Sequence, residues 1–351
     1  MPTGQDDPAL ETLLLPFASG RLEWPRAGAL FLRARTGPAL AAQPRPGLVC
    51  EQSFRPELDA LRRAGFEVRA PGEDRYPLVL LLPPRQREEA RALYAQALAR
   101  VSDGGTVVAS QANDEGAKSG EADLARIAGQ VTSLSKHKCR VFWARPGGGD
   151  AALAAQWRAL DAPRPVVGGR FLSRPGVFAW DRIDAASALL AAHLPPTLAG
   201  HGADLGAGYG FLAAEVLQRC PGVTALDLYE AEKRALDLAV DNLAVQADRV
   251  ALGFHWHDVA AGLPRQYDFI VSNPPFHAGG RAPRPDIGRR FIAAAAQSLR
   301  PGGALWLVAN RQLPYEQALG AGFGEVRIVA QRQGFKVVEA RRACAIRGRG
   351  P

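Results

Sequence analysis

Cysteine is scarce in this chain of 351 residues: four in all, Cys50, Cys139, Cys220 and Cys344, far apart and with no C-x-x-C pair. That spacing excludes a disulfide framework and a structural zinc site and leaves four free thiols. No window approaches the ~18 consecutive apolar residues that a spanning helix needs. The start, MPTGQDDPALE, is acidic and lacks the basic region of a secretory signal, so a cytoplasmic chain without membrane attachment is expected. Lysine is scarce too, five of 43 basic residues, so the surplus of +8 is carried by arginine. It is spread over both halves, forms no basic tail, and points only weakly to a polyanionic partner.

What remains is ordinary globular composition, 47% hydrophobic and 22% charged. The length exceeds what one hydrophobic core usually serves, so two domains are expected. Apolar β-type runs alternate with Ala/Leu-rich helical stretches, the pattern of a parallel sheet covered by helices, and the fold class is α/β. The Pro-, Gly- and Arg-rich stretch 162–176 separates the halves, giving domains 1–165 and 166–351. In the second half HGADLGAGYG reads as strand, glycine turn and helix entry, followed by strands VTALDLYE, VALGFHWHDV, YDFIVSNPPF and ALWLVAN. FKVVEARRACAI is expected to close the sheet.

The halves echo one another. YPLVLLLPPR (Tyr76 to Arg85) and YDFIVSNPPF (Tyr267 to Phe276) each precede an Ala-rich helix, a Gly-Gly pair and a further strand, as one α/β unit used twice would. Leu82 stands in the first copy where Asn273 stands in the second, and no glycine turn precedes it. The polar chemistry is therefore confined to the second half.

Asp204, Gly206, Gly208 and Gly210 form a G-x-G-x-G turn after a strand, where backbone can approach a nucleotide-like ligand closely. The dinucleotide fingerprint is G-x-G-x-x-G; the shorter spacing favours S-adenosylmethionine, which has no pyrophosphate to place on a helix N-terminus. Glu230, at the end of the next strand and twelve residues before Asn242, is the expected acceptor for the ribose hydroxyls. Asp227 is then a strand residue behind it. Asp258, after the third strand, is either an acceptor for the adenine amine or a plain helix cap.

Asn273-Pro274-Pro275-Phe276 is the most specific signal. The prolines fix the chain and remove backbone donors, so the Asn273 side-chain oxygen and the Pro274 carbonyl become a rigid pair of acceptors for a planar amino group. Two such hydrogen bonds draw the nitrogen lone pair out of conjugation and aim it at a methyl donor, with positioning as the main source of rate. Phe276 is expected to stack on the base, and His277 is the nearest group able to assist proton loss. Arg281, Arg284, Arg289 and Arg290 follow and suit phosphate contacts or a solvated loop. His255 and His257 share one strand face with no third ligand nearby, so no metal is expected.

These residues resemble the ribosomal RNA small-subunit methyltransferase C (RsmC) family. GVFAWDRIDAASALL (176–190) is similar to that family's F-S-x-D-x-x-D-x-G-S lead-in, with Ala186 in place of its glycine. ADLGAGYG is similar to its cofactor turn, SNPPFH to its catalytic motif and VANRQLPY (308–315) to a further signature. The stretch 110–146 is similar to its N-terminal domain. The resemblance implies two tandem Rossmann-like class I methyltransferase domains, the first degenerate and serving RNA docking or stability. It further implies S-adenosylmethionine as cofactor, the exocyclic N2 amine of a guanine in small-subunit (16S) rRNA as target, and a monomer acting on rRNA or a ribosomal subunit. Large-subunit (23S) rRNA, DNA adenine and protein glutamine are alternative acceptors for the same Asn-Pro-Pro logic. A non-catalytic ribosome-assembly factor is the alternative of a different class.

Overall fold

The computed structural model describes residues 7–275 and 285–344. It divides into two compact units, one running to Pro163 and including Arg174–Gly176, the other comprising Arg164–Ser173 and the chain from Val177.

Each unit is built on a seven-stranded sheet. In the first, β1 (Ala29–Leu32), β2 (Leu48–Glu51), β3 (Glu67–Arg69), β4 (Tyr76–Leu81), β5 (Val101–Ala112), β6 (Thr132–Lys136) and β7 (Cys139–Ala144) are ordered β3-β2-β1-β4-β5-β7-β6. A short antiparallel hairpin, β8 (Arg164–Val166) with β9 (Phe171–Ser173), follows within the Pro- and Gly-rich stretch. The second sheet contains β10 (Ala199–Leu205), β11 (Gly222–Glu230), β12 (Ala251–Trp256), β13 (Tyr267–Ser272), β14 (Leu299–Asn310), β15 (Glu325–Arg332) and β16 (Phe335–Arg341), in the order β12-β11-β10-β13-β14-β16-β15. Position by position the two orders are the same. Both sheets even slip register at the same place, between Tyr76 and Leu78 in β4 and between Tyr267 and Phe269 in β13. The echo in the sequence is thus a duplication of the whole topology.

The central strands are parallel and buried on both faces, so they read as nearly unbroken apolar runs such as FIV in β13. In the second unit one apolar core contains Leu190, Leu212, Val216, Leu238 and Trp306, and another contains Ile270, Ile292, Leu305, Tyr315 and Val338. Each face of the sheet is thereby covered by helices, and its carboxyl edge is left for a site.

One expectation fails here. FKVVEARRACAI does not close the sheet: β16 lies inside it, antiparallel to β14 on one side and to β15 on the other, and β15 is the edge. Strand β15 is largely exposed along its length, and the edge position leaves its residues without the alternating burial that would mark a strand in sequence.

Candidate active site

In an open parallel sheet the chain crosses over in opposite directions from the point where strand order reverses, and this opens a crevice at the carboxyl edge. Here that point is β10, flanked by β11 and β13. Parallel register pairs Leu205 with Ser272, so the next residues, Gly206 and Asn273, emerge side by side. The turn is held by one acceptor: the Tyr229 carbonyl of β11 accepts from Gly206 N at 2.8 Å and Ala207 N at 3.1 Å. Gly206 and Gly208 have φ of +75° and +56°, where a side chain is strained. A Cβ on Gly208 would meet nothing within 4 Å. The backbone at this point therefore borders open space, as ligand approach requires.

Asp204, the last residue but one of β10, is fully buried, and neither carboxylate oxygen makes a hydrogen bond of normal geometry among the described residues. Burial pushes its carboxyl up to about 7, opposed by the Ala213 N–H of the following helix and reinforced by the Glu230 charge. Glu230 ends β11 with Oε2 accepting from Gly208 N at 2.8 Å and Oε1 from Glu232 N at 2.8 Å. Burial raises its carboxyl too, against the pull of these backbone donors. Asp227 is three residues back, inside the sheet. There its carboxylate accepts from Tyr267 Oη at 2.8 Å and sits 3.2 Å from His201 Nε2 and 3.3 Å from His255 Nε2. Burial would raise this group, but the Tyr267 and His255 hydrogen bonds and the charges of both histidines bring it below the usual carboxylate range. Asp227 therefore has structural partners, whereas Glu230 faces the turn. Asp258 caps a short 3-10 turn through Oδ1, which accepts from Ala260 N at 2.9 Å.

Asn273 is held by two residues from the segment before β10. Its Nδ2 donates to Asp184 Oδ2 at 3.0 Å and to Ser187 Oγ at 2.8 Å. Asp184 also caps the Ala185–His193 helix, Oδ2 accepting from Ser187 N at 2.8 Å. An ionised carboxylate only accepts hydrogen bonds, so the amide turns its nitrogen to Asp184, and Oδ1 is the end that Asp184 and Ser187 leave unused. A pocket lined by Asp184, Ser187, Gly206, Gly208, Tyr209 and Asn273 lies between these groups, and Phe178, two-thirds exposed, also lines it. Sequence reading missed Asp184 and Ser187; their signal lay in the lead-in, D-x-x-S as the cap and first turn of an apolar helix.

Pro274 is buried and Pro275 exposed. Phe276, His277, Arg281 and Arg284 lie outside the described residues. Arg289 and Arg290 are exposed on the Pro285–Ser298 helix, Arg290 pairing with Asp286 at 3.4 Å. His255 stacks on Tyr229 with ring centroids 4.5 Å apart, and His257 Nε2 lies 2.6 Å from the Gly262 carbonyl. Among the described residues no cluster of metal-ligating side chains occurs. Tyr209 packs inward against Phe171, and Asn242 ties the turn to the β8–β9 hairpin. Asn242 Nδ2 donates to the Tyr209 and Leu172 carbonyls at 2.8 and 2.9 Å, and its Oδ1 accepts from Leu172 N at 2.7 Å.

The chain is similar to known proteins over most of its length. The family model described as "Methyltransferase small domain" matches residues 168–339. The ribosomal RNA small subunit methyltransferase C of Pseudomonas aeruginosa (strain LESB58) is 33% identical over 294 residues, 80% of this chain and 83% of the relative. The chain belongs to the ribosomal RNA small subunit methyltransferase C family. The Vibrio cholerae member (strain ATCC 39541 / Classical Ogawa 395 / O395) is 30% identical over 273 residues, 76% of this chain and 77% of that one. The solved T. thermophilus 16S rRNA N2 G1207 methyltransferase (RsmC), in complex with AdoMet and guanosine, superposes with a TM-score of 0.80 at 24% identity. The match covers 97% of this chain and 93% of that one, so the two-unit fold is shared throughout.

In this family member the first unit keeps the frame of the site and fills it. Leu32 pairs with Leu81 as Leu205 pairs with Ser272, so Arg33 and Leu82 occupy the places of Gly206 and Asn273. Arg33 keeps the positive φ, +51°, but carries a side chain that pairs with Glu89 at 2.7 Å. Gln52 stands for Glu230 and makes the same two contacts with one polarity reversed: Oε1 accepts from Phe54 N at 2.9 Å, and Nε2 donates to the Ala34 carbonyl at 2.7 Å. Asp7 caps a helix as Asp184 does, Oδ1 accepting from Leu10 N at 3.0 Å. Leu10 and Leu82, in the places of Ser187 and Asn273, are buried in an apolar core.

Proposed function

We propose that the protein transfers a methyl group from S-adenosylmethionine to the exocyclic N2 amine of a guanine in 16S rRNA. The second unit is the catalytic one, and the first serves RNA docking or stability. The observation that carries this reading is the side-by-side emergence of the glycine turn and Asn273, whose amide nitrogen is tied to Asp184 and Ser187 so that its oxygen is the acceptor on offer.

The residues fit the cofactor. A buried carboxyl at Asp204 with no hydrogen bond of normal geometry among the described residues suits a cationic ligand, the space over Gly208 admits one, and Glu230 stands at the turn where ribose hydroxyls can be accepted. When bound, the cofactor supplies an electrophilic methyl on a sulfonium. The protein's part is positional. Asn273 Oδ1 and the Pro274 carbonyl would accept the two amine hydrogens, which turns the nitrogen lone pair out of the ring's conjugation. Phe178, exposed beside the pocket, would supply aromatic surface for an unstacked base, the role expected from sequence for Phe276. Arg281, Arg284, Arg289 and Arg290 would meet the phosphates of the RNA. No general base is required, since the amine can release its proton after methyl transfer.

The relatives' names favour small-subunit rRNA over large-subunit rRNA, DNA or protein acceptors. A non-catalytic assembly factor would have no need of an unblocked turn and a tethered Asn273. Purified Asn273→Ala tests the reading. Turnover on rRNA should fall by ~100-fold or more, the cost of removing one positioned polar group, with S-adenosylmethionine affinity within about twofold of wild type. Undiminished turnover would remove Asn273 from the chemistry.

A further inference from the structure

We propose that Asp184 and Ser187 are positioning residues for the methyl transfer, and that the Asp184 carboxylate is the reason position 273 must be an amide. The inference rests on the proposed role of Asn273 and deepens it.

An asparagine side chain can present either its oxygen or its nitrogen, and only the oxygen can accept an amine hydrogen. The Asp184 carboxylate, which can only accept, decides the matter, and the Ser187 hydroxyl completes the pair. Asp184 Oδ2 at 3.0 Å and Ser187 Oγ at 2.8 Å take both Nδ2 hydrogens of Asn273, and the reversed orientation would set the amide oxygen against the Asp184 carboxylate. The same Asp184 oxygen also accepts from Ser187 N and starts the helix, so the acceptor is itself fixed by secondary structure. The first unit is an internal control. Its helix cap survives as Asp7, with Leu10 N still donating to it, while Leu10 and Leu82 are both apolar and buried. The cap alone therefore serves the fold. The serine hydroxyl and the asparagine amide appear together only where the chemistry is proposed.

A consequence separates this arrangement from simple structural support. The N273D substitution would retain an acceptor oxygen but bring a second carboxylate against Asp184, and like charges at hydrogen-bond distance repel. The D184N substitution keeps a side chain that caps a helix as well as aspartate does, and its amide can also donate. The reciprocal exchange should therefore restore a bond of opposite polarity between the two positions.

The experiment is a cycle of D184N, N273D and D184N/N273D in the full chain, with turnover, KM for rRNA, cofactor affinity and melting temperature measured for each. Ser187→Ala and Ser187→Thr accompany it. We expect N273D to lose ~100-fold in turnover and D184N and Ser187→Ala about tenfold each, with KM and cofactor affinity within about twofold. The double variant should recover at least about tenfold over N273D, and Ser187→Thr should approach wild type. Melting should follow the same order, with N273D lowered and the double variant restored. A double variant no better than N273D in turnover and in melting would overturn the proposal. If wild type forms no N2-methylguanine, it is the proposed function that fails, and the melting cycle still decides whether the two side chains are coupled.

Discussion

At the scale of single residues, the proposed cofactor site holds two buried carboxyl groups, Asp204 and Glu230, both raised by burial. Asp204, shifted to about 7, holds a proton in the folded protein over a range where the unfolded chain, at about 3.9, has released it. A raised carboxyl stabilises the fold below the unfolded value and loses that contribution as pH rises toward the folded one. Stability without cofactor should therefore decline between about pH 4 and about pH 7. A cationic ligand beside Asp204 favours its ionised form, so S-adenosylmethionine should bind with release of a proton and more tightly as pH rises toward about 7. Calorimetry in buffers of different ionisation enthalpy reads that proton directly, and Asp204→Asn should bind weakly and without it.

Glu230 and Asp227 separate by the same reasoning. Glu230→Gln should weaken cofactor binding by about tenfold, the loss of one or two hydrogen bonds to a charged acceptor, and should lower the melting temperature less than Asp227→Ala does, since only the Gly208 or the Glu232 N–H loses its acceptor. Asp227→Ala should instead lower the melting temperature, because Tyr267, His201 and His255 lose a buried acceptor. The reverse pattern would move the ribose contact to Asp227. Glu230 was legible in the sequence because a strand end beside a glycine turn leaves few residues to choose from. Asp184 was not, because its partnership with Asn273 spans 89 residues and an aspartate before an apolar helix reads as an ordinary cap.

At the scale of elements, parallel strands buried on both faces announce themselves, and β10, β11, β13 and β14 were readable for that reason. The edge strand β15 and the hairpin β8–β9 were not, since one is largely exposed and the other has three residues to a strand in a Pro- and Gly-rich stretch. That hairpin matters to the site. Asn242 alone satisfies three backbone groups, on Leu172 and Tyr209, and so fastens β9 to the cofactor turn. Asn242→Ala leaves those groups short of partners, at a cost of about 1–3 kcal/mol. Melting should fall accordingly, and hydrogen exchange at Leu172 should rise well above that at strands β10 and β13. Unchanged exchange would mean that the hairpin is held by Phe171 packing alone.

At the scale of the whole molecule, one topology is used twice and equipped once. The first unit's Arg33, Gln52, Leu10 and Leu82 fill the positions that Gly206, Glu230, Ser187 and Asn273 keep polar or open. Titration of the full chain should accordingly give one S-adenosylmethionine per chain, and a stoichiometry of two would contradict the blocked turn. The duplication was visible in sequence through the repeated Tyr…Pro-Pro pattern, and so were Leu82 at the Asn273 position and the missing glycine turn; Arg33 and Gln52 as the residues that fill the turn were not, since their placement rests on a register that pairs Arg33's neighbour with Leu81. The central claim, that Asn273 delivers a methyl group to a guanine N2 of small-subunit RNA, is met most directly by mass-mapping of methylated guanines in 16S and 23S rRNA. The strains to compare are one lacking this gene and the same strain carrying either wild type or Asn273→Ala. The account predicts that one N2-methylguanine of 16S rRNA disappears on deletion, returns with wild type and does not return with Asn273→Ala. An unchanged 16S pattern, or a loss confined to 23S rRNA, would contradict it.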